Sequence, residues 1–264
     1  MIIDSHCHLD HLSDAALALL RERGEVGEYR ALLPGGEPTQ WRDAGARFSS
    51  LSWVDLALGL HPWHAPGAED GWLGALTRAI EDAGAVAIGE IGVDHLRHRS
   101  ALEREQAALV FGQQLELARA LGLPVVIHCV RAHDEALAIV RAKGAGVRGI
   151  VHAYSGSQEH YEAWVRAGFV VGLGALVTSE RAKRARAAAV YAREGSFVLE
   201  TDAPFMRTRA EYEAQEPQGA GAIDEVAAEV AALRGCSAQA VVASAGAAYE
   251  ALFGRAKLGE IERL

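Results

Sequence analysis

The chain has no long hydrophobic run: no stretch approaches the roughly 18 apolar residues needed to cross a bilayer, and no basic region precedes an apolar stretch at its start. A soluble, cytoplasmic protein with no membrane partner is therefore expected. Cysteine is scarce, limited to Cys7, Cys129 and Cys236. An odd number with no close pair supports neither a disulfide framework nor a zinc knuckle. Cys7 and Cys129 each sit beside a histidine and alternate away from it on a strand, so they are expected to pack rather than to ligate. Positive charge is in deficit as well, with 26 Lys and Arg against 35 Asp and Glu and a formal charge of -9. That balance opposes long-range attraction to nucleic acid. It leaves a phosphate substrate open, because divalent cations add charge locally and acidic metal ligands inflate the negative count.

What is present is a globular composition, half hydrophobic and 23% charged over 264 residues, which excludes disorder and suits one domain over residues 1–264. Eight short apolar runs end in polar residues or glycine: Met1 to Asp4, Tyr29 to Leu33, Val54 to Leu60, Val86 to Ile91, Pro124 to His128, Gly149 to His152, Phe169 to Leu173 and Phe197 to Glu200. Helical periodicity separates them. It is clearest from Ala101 to Leu121, where Leu102, Leu109, Phe111, Leu115, Ala118 and Leu121 form the expected apolar stripe before Gly122 and Pro124. Asp134 to Lys143, Ser157 to Ala167, Ile223 to Arg234 and Ala238 to Leu252 read the same way. Eight alternating strand and helix units imply an α/β fold closed as a (β/α)8 TIM barrel, with its active site at the carboxyl ends of the strands.

The chemistry-bearing side chains fall at those ends. The first run leads into Asp4-Ser5-His6-Cys7-His8, whose alternation predicts Asp4, His6 and His8 on one face. Two neutral imidazoles so placed are a partial metal site. Gly59-Leu60-His61-Pro62 follows the third run, Gly89-Glu90-Ile91-Gly92-Val93-Asp94 the fourth, and Glu200-Thr201-Asp202-Ala203-Pro204 the eighth. His128 and His152 end the fifth and sixth. Six strand ends sharing one barrel mouth predict a metal centre.

These six segments, in this order and ending near Leu252-Phe253-Gly254, resemble the TatD family of metal-dependent hydrolases within the amidohydrolase superfamily. The resemblance implies a TIM barrel with one or two divalent ions (zinc, manganese, magnesium, nickel or iron), no organic cofactor, and phosphodiester hydrolysis of DNA, often as an exonuclease. By matching position His6, His8, Glu90 and Asp202 would surround one ion, and Glu90, His128 and His152 the second, with Glu90 as the bridge. Glu90 and Asp202 are the expected catalytic residues, Asp202 also accepting a proton from the attacking water. Glu200 is expected to orient a histidine or an arginine. Related barrels often bridge their ions with a carboxylated lysine, but Lys143, Lys183 and Lys257 all lie away from strand ends. Three departures from the family pattern stand out: Gln215-Glu216-Pro217-Gln218 replaces a basic stretch, no Asn occurs around Ala247 and Ala248 in the last helix, and Val130 precedes Arg131.

For the substrate, His61, Trp63, Arg131 and Tyr154 are the expected contacts: an imidazole, two rings that can stack on a base, and a planar guanidinium suited to phosphate oxygens. Arg181, Lys183, Arg184 and Arg207 are further loop cations, and His64 a further ring. His11, His95, His98, His133 and His160 are expected on the surface or in loops. Nucleic acid is the expected partner and a monomer the expected state. Two other readings remain open at this level: a hydrolase of an ester, amide or lactone, including an aminoacyl ester on RNA, and a binding protein without turnover.

Overall fold

A computed structural model describes residues 1–214 and 221–254, so the Gln215 to Gln218 stretch and Lys257 lie outside the described residues. The strands are β1 (Ile2–Asp4), β2 (Tyr29–Gly35), β3 (Val54–Leu58), β4 (Ile88–Asp94), β5 (Val125–Val130), β6 (Gly149–Val151), β7 (Phe169–Leu173) and β8 (Phe197–Leu199). The helices are α1 (Asp14–Glu25), α2 (Pro38–Phe48), α3 (Trp72–Ala83), α4 (Ala101–Leu121), α5 (His133–Lys143), α6 (Gln158–Arg166), α7 (Lys183–Tyr191), α8 (Arg209–Ala214), α9 (Ala222–Arg234) and α10 (Ala238–Phe253).

Every strand pairs in parallel with its sequence neighbour, in one ladder from β1 to β3 and another from β4 to β8. Backbone hydrogen bonds join the two ladders at both seams. Val86 N to Leu56 O at 2.9 Å and Leu58 N to Ala87 O at 3.2 Å link β3 to β4; Ser5 N to Leu199 O and Asp202 N to His6 O, both 2.8 Å, link β8 to β1. The parallel order thus closes on itself as a (β/α)8 barrel.

Two apolar layers hold it. Ile3, Leu32, Ala57, Ala87, Val126, Ile150, Val170 and Val198, which follow the strands in turn, pack with Tyr249, Leu252 and Phe253 of α10 into a fully buried cluster that fills the barrel. The larger layer lies between strands and helices. Helix α4 starts on a capping box in which Ser100 and Glu103 satisfy each other's backbone. Its buried stripe is Ala107, Val110, Phe111, Gln114, Leu115 and Ala118. Leu102 and Leu109, expected in that stripe, are 64% and 63% exposed. At about 100° per residue, the face centred on Phe111, Leu115 and Ala118 excludes both.

Asp4 also departs from expectation. β1 ends at Asp4, so the alternation predicted for His6 and His8 does not carry back to it. Its buried carboxylate accepts instead from Thr201 N (2.9 Å), Thr201 Oγ1 (2.7 Å) and the Tyr29 hydroxyl (3.3 Å), tying the end of β8 to β1. Burial pushes the Asp4 carboxyl up to about 7, against the pull of the Thr201 donors.

Candidate metal centre

Strands β4 and β5 and the segments following β1, β3, β6 and β8 bring His6, His8, His61, Glu90, His128, His152 and Asp202 together. Glu90 lies at their centre, 5% exposed. Its Oε2 is 3.3 Å from His6 Nε2, while its Oε1 is 2.7 Å from His128 Nδ1, 3.6 Å from His61 Nε2 and 4.0 Å from His152 Nε2. The two oxygens of one carboxylate therefore face two different sets of imidazoles. Asp202 lies across from it, with Oδ1 3.4 Å from His8 Nε2 and Oδ2 3.7 Å from His152 Nε2.

Three groups have ligand atoms close enough to share an ion: His6, His8 and Glu90; His6, His152 and Asp202; and His61, Glu90 and His128. The grouping differs in part from the assignment implied by resemblance. His152 stacks on His6, ring centroids 3.6 Å apart, and is 6.5 Å from His128. His61, expected at the substrate, also lies beside His128 and Glu90, while His152 Nε2 is 4.0 Å from Glu90 Oε1. The donor set fits a cation. Nε2 of fully buried His6 stands between Glu90 Oε2 (3.3 Å) and Asp202 Oδ1 (3.9 Å), and Nδ1 of His8 has no hydrogen-bond partner among the described residues, an arrangement that ligation relieves. Burial and the neighbouring His152 push His6 below its ordinary range, toward the neutral imidazole that a metal binds.

Two histidines are steered by dedicated carboxylates. His128 Nε2 lies 3.2 Å from Asp94 Oδ2, leaving Nδ1 toward Glu90; His152 Nδ1 lies 3.0 Å from Glu200 Oε1, leaving Nε2 toward Asp202. Metal-ligating histidines are oriented in this way. Burial alone would lower both imidazoles, but Asp94 and Glu90 lift His128 to about 9, and Glu200 and Asp202 lift His152 to about 10. A cation taking a nitrogen from either ring must displace a proton, so affinity falls with falling pH. Burial pulls Glu90 and Asp202 upward, but the surrounding imidazoles hold both below the ordinary carboxylate range.

The backbone is bent to suit. The non-glycine residues with left-handed φ among those described are Arg131 (55°), Ala153 (46°) and Asp202 (56°), each just past a strand end at this mouth. Glu200 is wholly buried against β7, where a Cβ built on Gly172 would stand 2.1 Å from its Oε2. Only glycine leaves that space. Gly172→Ala is expected to displace Glu200, free His152 to turn, and weaken metal affinity about 10- to 100-fold. Competition against a chromophoric chelator measures this, and unchanged affinity would show that Glu200 does not orient the ring.

The family model described as TatD related DNase matches residues 3–254. The chain belongs to this family. Among TatD-family relatives, the uncharacterized metal-dependent hydrolase YjjV of Escherichia coli K12 is 34% identical over 208 residues, 77% of this chain and 80% of that protein. The 3'-5' ssDNA/RNA exonuclease TatD of Erwinia amylovora is 30% identical over 248 residues, 91% of this chain and 93% of that protein. The crystal structure of E. coli YjjV superposes with a TM-score of 0.85 at 28% identity, covering 96% of this chain and 98% of that one. The protein is accordingly a metal-dependent hydrolase with the TatD barrel.

The remaining expected residues of this TatD-family chain fall into place unevenly. Trp63 is 52% exposed, its Nε1 donates to Asp94 Oδ2 at 2.8 Å, and Arg97 lies over its ring at 5.4 Å, so the indole braces the carboxylate behind His128 while staying partly open to solvent. Arg131 is exposed and lines a cleft of about 1170 Å³ that opens over His128, His152 and Asp202. Tyr154 contradicts its expected stacking role. It is 2% exposed, its hydroxyl donates to Ser157 O at 2.5 Å, and its ring packs beside His133. Proximity to a motif in sequence did not carry the ring to the mouth, because the chain turns at left-handed Ala153.

Cys7 is buried as expected, whereas Cys129 lies at the cleft with Sγ 3.3 Å from His133 Nδ1. His98 lies in the loop after β4, as expected, and is buried there. Three contributors escaped the sequence. Asp94 was visible only as a motif letter. Gln114, a lone polar residue in the buried stripe of α4, grips the backbone before His61 through Leu60 N (2.7 Å) and Leu60 O (3.1 Å). Phe205, directly after Pro204, is 61% exposed with its ring 4.7 Å from that of His8.

Proposed function

We propose that this TatD-family hydrolase cleaves phosphodiester bonds of single-stranded DNA, and of RNA, as an exonuclease working from the 3' end. The observation that carries the reading is the placement of Glu90 between two imidazole sets, enclosed behind the His128, His152 and Asp202 that line an open cleft. His6, His8, His152, Asp202 and Glu90 would hold one divalent ion, and Glu90, His61 and His128 a second. Mixed imidazole and carboxylate donors suit zinc, manganese, nickel or iron. When bound, such a pair supplies Lewis acidity toward phosphoryl oxygen and makes water ionisable near neutral pH.

The chain's own groups divide the remaining work. Glu90 is enclosed and does not line the cleft, which suits a residue that fixes spacing. Asp202 lines it, with its side chain 15% exposed against 7% for Glu90, which suits a group that meets incoming water. Held ionised by His152, His8 and His6, Asp202 can take a proton at neutral pH. Asp94 and Glu200 keep their histidines turned inward. Trp63 and Phe205 present exposed rings near the centre, and aromatic faces accept any nucleobase.

Relatives named 3'-5' ssDNA/RNA exonuclease support the polymer and the direction. The test is metal-loaded protein on short DNA and RNA strands labelled at either end, beside simple esters, amides and lactones. Strands labelled at the 5' end should shorten stepwise, whereas 3' label should appear at once in mononucleotide. Intact strands with hydrolysis confined to carboxyl derivatives would overturn the reading.

A further inference from the structure

The cleft over the metal centre is larger than a single phosphodiester group requires. From His128, His152 and Asp202 it runs between the loops after β5, β6 and β7 through about 1170 Å³. The wall away from the centre carries Arg131, Arg181, Lys183 and Arg184, all exposed, and none has a carboxylate partner among the described residues. Some cations elsewhere are paired and others, such as Arg119, Arg141 and Arg148, have no carboxylate partner among the described residues; the four of this wall are set apart by sharing one cleft. Arg23 pairs with Asp224, Arg30 with Asp55, Lys143 with Glu116, Arg186 with Glu229 and Arg193 with Glu162, at distances from 2.6 to 3.0 Å. The acids of the same wall already have neighbours: Glu135 lies 2.6 Å from His95, and Asp134 lies 3.2 Å from His160. In a protein of net charge -9, four cations without a carboxylate partner among the described residues share one cleft, with Asp134 and Glu135, that opens onto the catalytic mouth.

We propose that Arg131, Arg181, Lys183 and Arg184 form a track that binds, along the nucleic-acid strand being hydrolysed, phosphates other than the one under attack. The inference rests on the phosphodiesterase reading above and extends it from a bond to a polymer. Guanidinium groups grip phosphate oxygens through paired donors, and a lysine adds a point charge. A strand laid along this wall would hold its terminal linkage over Asp202 while the following phosphates are retained. The overall negative charge then repels nucleic acid from other faces and leaves this cleft as the entry.

The counterion signature of such a track is measurable, because each phosphate neutralised on a single strand contributes about 0.7 to the slope of log affinity against log salt. The experiment follows the anisotropy of a labelled DNA strand in excess chelator, so that binding is read without turnover. It compares the wild type with the variant R181A/K183A/R184A and with R119A/R141A/R148A, which changes net charge equally at exposed positions away from the cleft. The cleft variant should bind at least about tenfold more weakly, with a slope smaller by one to two, and the distant variant should match the wild type. In the metal-loaded enzyme the ratio of kcat/KM for a strand to that for bis(4-nitrophenyl) phosphate should fall by about the same factor. Equal losses in both triple variants, or no loss in the cleft variant, would overturn the track. Failure of the wild type to hydrolyse either the strand or the small diester would instead overturn the phosphodiesterase reading.

Discussion

Replacing Glu90 with alanine is expected to lower turnover by roughly three orders of magnitude or more, the several kcal/mol that a correctly placed cation contributes to the transition state. Metal content after dialysis should fall as well. Glu90 offers one oxygen to His6 and the other to His128 and His61, so its removal takes a donor from two ligand groups at once. It also leaves His128, lifted to about 9 by Asp94 and Glu90, without one of its two carboxylates. Losing one partner of a buried pair typically costs about 3 to 5 kcal/mol, so the fold should weaken in urea titrations too. Glu90→Gln separates these effects. It keeps the shape and one acceptor oxygen but removes the charge, so it should retain more stability than the alanine variant while remaining inactive. Normal rates with full metal content in either variant would refute the central placement of Glu90.

Asp202→Asn tests the proton acceptor. General base catalysis by a positioned carboxylate contributes about 10²- to 10⁴-fold, and a loss of that size in kcat is expected. The pH profile carries the sharper information. Imidazoles hold Asp202 below the ordinary carboxylate range, so in the wild type it is already ionised throughout the neutral region and its own titration adds no slope there. Without it, hydroxide from solution must replace the missing base, and the residual rate of the variant should rise more steeply with pH than that of the wild type. Metal content measured on the same samples distinguishes this from loss of an ion, since Asp202 also stands in a ligand group with His6 and His152. An unchanged kcat and profile would remove Asp202 from the chemistry.

The cis-acting logic of strand ends was readable from the chain alone for most of the centre. His6, His8, Glu90, His128, His152 and Asp202 each follow a short apolar run, and the parallel barrel brings the ends of all such runs to one mouth. Glu200 was legible for the same reason, since it directly precedes Thr201 at the end of β8 and meets His152 there. Side chains whose direction depends on a turn were not. Tyr154 is as close to a motif as Trp63, yet left-handed Ala153 sends its ring inside while Trp63 stays out and braces Asp94. Leu102 and Leu109 are as apolar as Leu115, yet they fall on the far side of α4.

Periodicity, turn residues and the eight-fold alternation of strand and helix determined the barrel and the identity of its donors, because burial of apolar faces acts on local patterns that the chain displays directly. Only the tertiary structure decided which of these side chains approach one another. Whether His152 sits with His6 or with His128, whether His61 faces Glu90, and whether Asp94 stands behind a ligand depend on angles and distances across strands remote in sequence. Coordination and hydrogen bonding act over a few ångströms in three dimensions, and no spacing along the polypeptide encodes those contacts.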